Sequence, residues 1–273
     1  MDKYAVIGHP IAHSLSPIMH KANFAALGIK ADYEKFDIEP ENLASFIREK
    51  RREGYRGLNI TVPFKTAVLD LLDVRDESVV RYGSCNTIKF GEDSLIYGYN
   101  TDIDGFLWSL ASNGFSLDGA RIMILGCGGA GGAIARCAVY EGASEVILAG
   151  RTQNKVDALA AELERISSTC HITALRDEDR VRIAYSCDIV VNTTPIGLKE
   201  GDVSILPQEA FHSGQFALDI IPTRELPPMA VTARAAGAVS CGGLDFLVAQ
   251  GARSFEIWTG LKADVLAMSQ SIK

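Results

Sequence analysis

This chain predicts an α/β fold in two domains, and three observations carry that expectation. Short apolar runs alternate with longer stretches of helical spacing along most of the sequence, the pattern of strands joined by crossover helices. The pattern restarts after Gly114–Gly119, as it does at a domain boundary. Just beyond, Gly126-Cys127-Gly128-Gly129-Ala130-Gly131 stands between an apolar run and a helical one, the context of a nucleotide phosphate loop. The length agrees: 273 residues against roughly 150 per domain.

Taken in order, Tyr4–Gly8 reads as the first strand. Ser16-Pro17 then reads as an N-cap with proline at the first helical position, opening a helix that carries Ile18, Met19, Ala22, Phe24 and Ala25 and stops at Gly28. Ala31–Ile38 fits a second strand, about Glu41 to Glu53 a helix closed by Gly54, and Gly57–Val62 a third strand, followed by a short helix after Pro63. Thr87–Tyr99 reads as a hairpin turning at Gly91-Glu92-Asp93. Helix following strand in this way implies a parallel sheet. In the middle, Arg121–Leu125 is a strand, Ala130–Glu141 a helix and Glu145–Ala149 a strand, with further strands at Ile189–Asn192 and Phe216–Ile220. The last third is helical over Pro228–Ala236, Leu244–Thr259 and a tail from Ala263, and the C-terminal helices are expected to return to the first domain.

Composition narrows the function. Twenty-seven Lys+Arg against 34 Asp+Glu leave a net charge of −7, which argues against a nucleic-acid or anionic-membrane partner, since each requires a basic face, but leaves room for a small anionic ligand held by a few local cations. With 47% hydrophobic and 22% charged residues the chain is composed to fold. No run reaches the ~18 apolar residues of a membrane span, and the first residues lack a signal-peptide pattern. Six cysteines form no CxxC pair, so neither a disulfide framework nor a zinc site is expected, and five histidines show no metal-ligand spacing. A cytoplasmic protein acting on a small molecule is the expectation, as monomer or homodimer.

The glycine loop satisfies GxGxxG between a strand and a helix. Glycine is needed there because the backbone must turn tightly and approach a pyrophosphate that sits on the helix's free N–H groups. The following strand ends in Ala149-Gly150-Arg151-Thr152, with Lys155 one turn later. Sites for NAD carry a carboxylate at this point to bind the ribose hydroxyl, whereas cations there suit the 2′-phosphate of NADP. NADP is therefore the expected cofactor.

Three polar clusters mark the first domain: Ser14-Leu15-Ser16-Pro17, Asn59–Lys65 (NITVPFK), and Asn86-Thr87 with Asn100-Thr101-Asp102. Alternation puts Asn59 and Thr61 on one face of their strand. Amides and hydroxyls of this kind suit a polyhydroxylated ligand, and Lys65 with Asp102 would form an acid/base pair. Each also has a plainer structural use: Ser16 or Asp102 as a helix cap, Thr61 as a strand former, Lys65 as a solvated charge.

Together these segments, with Pro10–Pro17, Cys85-Asn86-Thr87, Tyr99–Asp102, Gly126–Ala130 and Gly243–Gln250 (GLDFLVAQ), resemble the successive signatures of the shikimate dehydrogenase family over nearly the whole chain. The resemblance implies an N-terminal α/β substrate domain over residues 1–113, joined by C-terminal helices at about 244–273, and a Rossmann-like NADP-binding domain over 114–243. It implies an oxidoreductase of the shikimate pathway of aromatic amino-acid biosynthesis that interconverts 3-dehydroshikimate and shikimate. By the same likeness Lys65 and Asp102 are the catalytic pair, and Ser14, Ser16, Thr61, Asn86 and Gln250 contact substrate with Asn59 in support. Gly126, Gly128, Gly129, Ala130, Arg151, Thr152 and Lys155 line the cofactor's phosphates and adenosine, and Ile220 and Gly243 flank the nicotinamide. Glu77 falls where the family often shows an acidic residue near the cofactor.

Three positions depart from the family pattern. Gly150 stands where Asn is usual, and Lys155 where Arg is frequent. Pro222, after Asp219-Ile220-Ile221, replaces a tyrosine that helps hold substrate. Proline has neither hydroxyl nor N–H, so one neutral hydrogen bond is lost and KM is expected to rise by up to roughly tenfold. Two other functions stay open on the residues: an NAD-dependent quinate/shikimate dehydrogenase, and a non-catalytic NADP-binding sensor. Retention of both Lys65 and Asp102 speaks against the sensor.

Overall fold

The computed structural model describes residues 1–175 and 179–273. The chain forms two compact units, Met1–Gly105 with Leu247–Lys273, and Phe106–Phe246. Both crossings between them lie inside helices, not in the Gly114–Gly119 stretch where the apolar pattern restarts.

The first unit is built on a six-stranded sheet, β1 (Asp2–Gly8), β2 (Ala31–Asp37), β3 (Tyr55–Ile60), β4 (Val74–Arg75), β5 (Thr87–Phe90) and β6 (Ile96–Tyr99), in the order β2-β1-β3-β5-β6-β4. The sheet is mixed: the parallel pairing expected of the crossovers is found at β2-β1-β3, and the expected hairpin adds an antiparallel pair. β1 pairs parallel with β2 and β3, but β5 lies antiparallel to β3 after a connection of residues 61–86, and a hairpin turns β6 antiparallel against β5. The hairpin turn closes from Gly91 to Leu95, with the left-handed conformation at Ser94 (φ 69°) and not at a glycine.

Helices α1 (Ser16–Ala26), α2 (Leu43–Arg52), α3 (Phe64–Ala67), α4 (Glu77–Tyr82) and the start of α5 (Asp102–Ser112) cover this sheet. The expected cap at Ser16 is not formed: Leu15 holds the cap position without a side-chain bond, and Ser16 is already helical, its N–H reaching the Ser14 hydroxyl at 3.4 Å. Pro17 still sits where the helix has no N–H to lose. The C-terminal residues complete the core. α10 (Gly243–Thr259) brings Phe255 and Trp258 against Tyr4, Phe24 and Tyr33, and the Trp258 indole donates to the Ile88 carbonyl at 2.8 Å. α11 (Val265–Ile272) packs on α1.

The second unit carries β7 (Arg121–Leu125), β8 (Glu145–Ala149), β9 (His171–Ala174), β10 (Ile189–Asn192), β11 (Phe216–Asp219) and β12 (Val239–Cys241) in one all-parallel sheet, order β12-β11-β10-β7-β8-β9. This is the doubly wound order, with its switch point between β7 and β10. α6 (Gly129–Tyr140), α7 (Gln153–Ile166), α8 (Arg180–Tyr185) and α9 (Pro228–Ala235) connect the strands. Every residue of β10 and β11 is buried, which is why those segments read as unbroken apolar runs. The register sets Ala149, Leu125, Asn192 and Asp219 side by side at the carboxyl edge of the sheet. The residues that follow them, Gly150, Gly126, Thr193 and Ile220, therefore line the end where ligands of this fold bind. Among the described residues no helix is long and apolar enough to cross a membrane.

Candidate active site

In the first unit, pairing of Asn59 with Thr87 and of Thr87 with Tyr99 brings the ends of β3, β5 and β6 together. The chain beyond β3 turns through Pro63 into α3, which carries Lys65, and the chain beyond β6 enters α5, whose first residue is Asp102. Asn100 accepts the Asp102 N–H at 3.1 Å, so Asp102 is held by a cap and is not itself the cap. Lys65 Nζ donates to Asp102 Oδ2 at 2.6 Å, and Asn86 Nδ2 donates to Oδ1 at 3.0 Å. The Lys65 side chain is 12% exposed and that of Asp102 only 3%. Both carboxyl oxygens are thus engaged, and the Lys65 side chain that faces them keeps a solvent-facing edge. Cys85 lies beside the pair, but burial pushes its thiol up to about 12, so it is chemically silent.

Around this pair the remaining candidates fall into two groups. Asn59, Asn86 and Gln250 belong to one buried network. Asn86 Nδ2 also reaches Thr101 Oγ1 at 3.0 Å and Gln250 Oε1 at 3.1 Å, while its Oδ1 accepts the Thr101 N–H at 2.7 Å. The Tyr33 hydroxyl donates to Asn59 Oδ1 at 2.7 Å, which turns the Asn59 amide nitrogen towards Thr87 and Ser254. Ser14 and Thr61 are half-buried at the rim, and among the described residues the Thr61 hydroxyl makes no hydrogen bond. Ser16 is buried with its hydroxyl facing the Tyr33 phenol. Glu77 is exposed at the first position of α4 and joins none of these groups. Sequence reasoning missed Tyr33 and Ser254. The signal for Ser254 was present, four residues after Gln250 on the same helix face.

In the second unit the glycine loop divides by role. Gly126 takes φ +104°, and a Cβ on Gly131 would run into the Gly126 carbonyl, so both glycines serve the turn and the close approach of helix to strand. Thr193 tightens this by donating to the Leu125 and Gly126 carbonyls at 2.9 and 3.0 Å. Gly128 is different. Its φ of −86° suits any residue, and among the described residues nothing lies within 4 Å of the Cβ it lacks. The chain's own packing gives no reason for that glycine; a ligand seated on the loop does. α6 starts at Gly129 with Ala130 next, and no side chain caps its free N–H groups, the geometry that receives a diphosphate. Burial pushes the Cys127 thiol up to about 11, so it is a filler and not a nucleophile.

Beyond β8, Arg151, Thr152 and Lys155 are exposed, and among the described residues neither cation has an ion-pair partner. Two unpaired cations and no carboxylate at the strand end fit a 2′-phosphate. A side chain at Gly150 would press on Val156 at 3.2 Å, so the departure there relieves packing against α7. Past β11, Ile220 is half-buried. Gly243 donates its N–H to the Ile221 carbonyl at 3.1 Å, so close to this backbone that a Cβ would collide with it. The residues of this unit thus fit a bound NADP: backbone for its diphosphate and cations for its phosphate. Asp219, fully buried, accepts from Asn192 Nδ2 at 3.2 Å and from the Ile221 N–H at 3.3 Å. Among the described residues its second oxygen has no partner, and burial pushes its pKa up to about 6.

Comparison with known proteins is concordant over the whole chain. Residues 6–88 match the family described as the shikimate dehydrogenase substrate binding domain, residues 109–227 match shikimate/quinate 5-dehydrogenase, and residues 243–273 match the shikimate 5′-dehydrogenase C-terminal domain. A shikimate dehydrogenase (NADP(+)) of Moorella thermoacetica is 38% identical over 271 residues, covering 98% of this chain and 92% of that one. The structure of shikimate 5-dehydrogenase from Thermus thermophilus, solved with NADP(H) and shikimate, superposes with a TM-score of 0.87 at 35% identity, covering 100% of this chain and 98% of the other. Quinate dehydrogenase from Corynebacterium glutamicum, solved with NAD, superposes with a TM-score of 0.88 at 26% identity, covering 99% and 98%.

Proposed function

The chain belongs to the shikimate dehydrogenase family, and from that premise we propose that it interconverts 3-dehydroshikimate and shikimate with NADP(H), with Lys65 and Asp102 as its acid/base pair. The observation that carries the reading is the 2.6 Å contact between Lys65 and a carboxylate held from its other side by Asn86. We assign substrate recognition to residues 1–113 with 244–273, cofactor binding to residues 114–243, and the reaction to the cytoplasm.

Bound NADPH supplies a hydride to the C3 carbonyl carbon of the substrate. As that carbon gains its C–H bond, negative charge builds on the oxygen, and Lys65 as ammonium gives it a proton, leaving shikimate and a neutral lysine that regains its proton from solvent. In the opposite direction neutral Lys65 takes the hydroxyl proton, and the hydride from C3 would pass to bound NADP+. Asp102 keeps the lysine aimed, and Asn86 keeps Asp102 aimed. Ser14, Ser16, Thr61, Asn86 and Gln250 supply the hydroxyls and amides that recognise a hydroxylated ring acid, with Asn59 behind them. Arg151, Thr152 and Lys155 favour NADP over NAD, Ile220 and Gly243 shape the nicotinamide end, and Glu77 is the outlying candidate.

The test is an assay of NADP+ and NAD+ reduction by the purified protein with shikimate and with quinate. Shikimate with NADP+ should be the fastest pair, and Lys65→Met should remove most of its turnover. Turnover of quinate with NAD+ alone would overturn the substrate and cofactor assignment. No turnover with any pair would overturn the enzyme reading in favour of a sensor.

A further inference from the structure

We propose that Ser254 is a positioning residue for the catalytic carboxylate, acting through Thr101 and Asn86, an inference that rests on the acid/base reading of Asp102. Asn86 Nδ2 carries two hydrogens, yet three acceptors lie within reach: Asp102 Oδ1 at 3.0 Å, Thr101 Oγ1 at 3.0 Å and Gln250 Oε1 at 3.1 Å. If Thr101 takes one, either the carboxylate or the glutamine goes without. The conflict disappears when Thr101 receives its hydrogen elsewhere.

Ser254 provides it. The side chain is fully buried on α10 and its hydroxyl lies 3.1 Å from Thr101 Oγ1, 2.8 Å from Thr87 Oγ1 and 3.0 Å from the Gln250 carbonyl. Because Tyr33 claims Asn59 Oδ1, the Asn59 amide nitrogen donates its two hydrogens among Ser254 Oγ at 3.0 Å, Thr87 Oγ1 at 3.1 Å and the Asn86 carbonyl at 3.2 Å, and Ser254 is the shortest of the three. Ser254 therefore accepts from Asn59 and has one hydrogen to give. The Gln250 carbonyl has a second lone pair and competes for that hydrogen at 3.0 Å, but the helix ladder satisfies it without Ser254, and Thr87, at 2.8 Å, can itself donate to Ser254. Donation to Thr101 lets the Thr101 hydroxyl pass its own hydrogen to Asn86 Oδ1 at 3.2 Å, and both Asn86 hydrogens are then free for Asp102 and Gln250. In this arrangement each of those hydrogens has an acceptor, as a buried network requires. Asn59, remote from the reacting atoms, thereby supports Asp102 through a chain of hydroxyls.

The experiment is a double-mutant cycle on kcat with Ser254→Ala, Asp102→Asn and the pair. Ser254→Ala alone should lower kcat about three- to tenfold, the rate equivalent of one hydrogen bond, with KM for NADP+ unchanged. In the Asp102→Asn background it should change nothing further. Ser254→Cys, of similar size but a poor donor, should behave like the alanine variant. Equal effects in both backgrounds would overturn the proposal, because a general loss of packing does not depend on the charge at position 102. A second measurement separates this inference from the substrate reading. In ligand-free, isotope-labelled protein, Ser254→Ala should shift the Asn86 side-chain amide resonances. Unmoved resonances would refute the hydrogen relay whatever the enzyme's substrate.

Discussion

The two polar sites of this molecule are built on opposite plans. In the first unit the candidate groups are side chains that hydrogen-bond one another before any ligand arrives: Asp102 is held by Lys65 and Asn86, Asn86 by Thr101, Asn59 by Tyr33. In the second unit the groups that would meet a ligand are left open among the described residues: the uncapped start of α6, the empty space over Gly128 and the unpaired Arg151 and Lys155. A network satisfied from within fixes geometry, which suits proton transfer, where a misplaced acid loses most of its effect. A cradle of unpartnered donors takes its partner from outside, which suits a cofactor that comes and goes. Substitutions should therefore strike rate in the first unit and affinity in the second.

The largest effect expected under that rule comes from the acid itself. Lys65→Met should lower kcat by about 10²–10⁴-fold, the usual cost of a lost acid/base group, while KM for NADP+ stays put. Measured in both directions, a loss confined to KM would place Lys65 among the binding groups and erase the contrast between the two sites.

Two glycines sharpen the comparison inside the cradle. Gly131→Ala should unfold the unit at a lower temperature even without ligand, since its Cβ meets the Gly126 carbonyl. Gly128→Val should leave the melting temperature of the ligand-free protein alone and raise KM for NADP+ by more than tenfold, because its Cβ enters space only a ligand fills. Thermal melts with and without NADP+ separate the two. Smaller again is the effect of the cations. Arg151→Ala and Lys155→Ala should each reduce the preference for NADP+ over NAD+ by about two- to fivefold, the modest value expected of solvent-exposed charges, read as the ratio of kcat/KM for the two cofactors.

The legibility of the two sites in the sequence also differs, for the same reason. The cradle is local: Gly126 through Gly131 are contiguous, follow a strand and open a helix, so spacing alone identifies them. Lys65, Asn86, Asp102 and Gln250 are far apart in the chain and meet only because β3, β5 and β6 pair in one register, which no local pattern encodes. Their motifs, taken together, carried the reading instead. Ser254 stayed hidden because its place on α10 looks like an ordinary core position, and the hydroxyls it meets come from β5 and the start of α5. The Ser16 cap was misassigned because a proline one residue later fits either the first or the second position of a helix. The antiparallel turn of β5 against β3 was obscured because the segment between them holds helices, as a crossover would. Short elements such as β9 and α8 have too few residues for a period to show.

Folding itself offers the comparison that touches turnover least. His20, fully buried in the first unit and stacked on Tyr33 at 4.4 Å, has neither ring nitrogen hydrogen-bonded among the described residues, and burial pushes its pKa down to about 3. Asp219, in the second unit, is pushed up to about 6. Linkage gives these groups opposite signs. Below the ordinary histidine range the unfolded chain binds a proton that folded His20 refuses, so its contribution is intact above about pH 6.5 and drains away as pH falls towards 3. Between about pH 4 and 6 folded Asp219 keeps a proton that the unfolded chain releases, so its contribution is intact below 4 and is lost as pH rises to 6. Asp219→Asn can still accept from Asn192 and Ile221 but cannot ionise. Its melting temperature should therefore exceed that of the native chain by on the order of 5 °C at pH 8 and converge with it near pH 4. His20→Leu should show the reverse pattern, gaining relative to the native chain only as pH falls below 6.5. A pair of melting curves with the same pH slope in both variants would mean that burial does not govern these two groups.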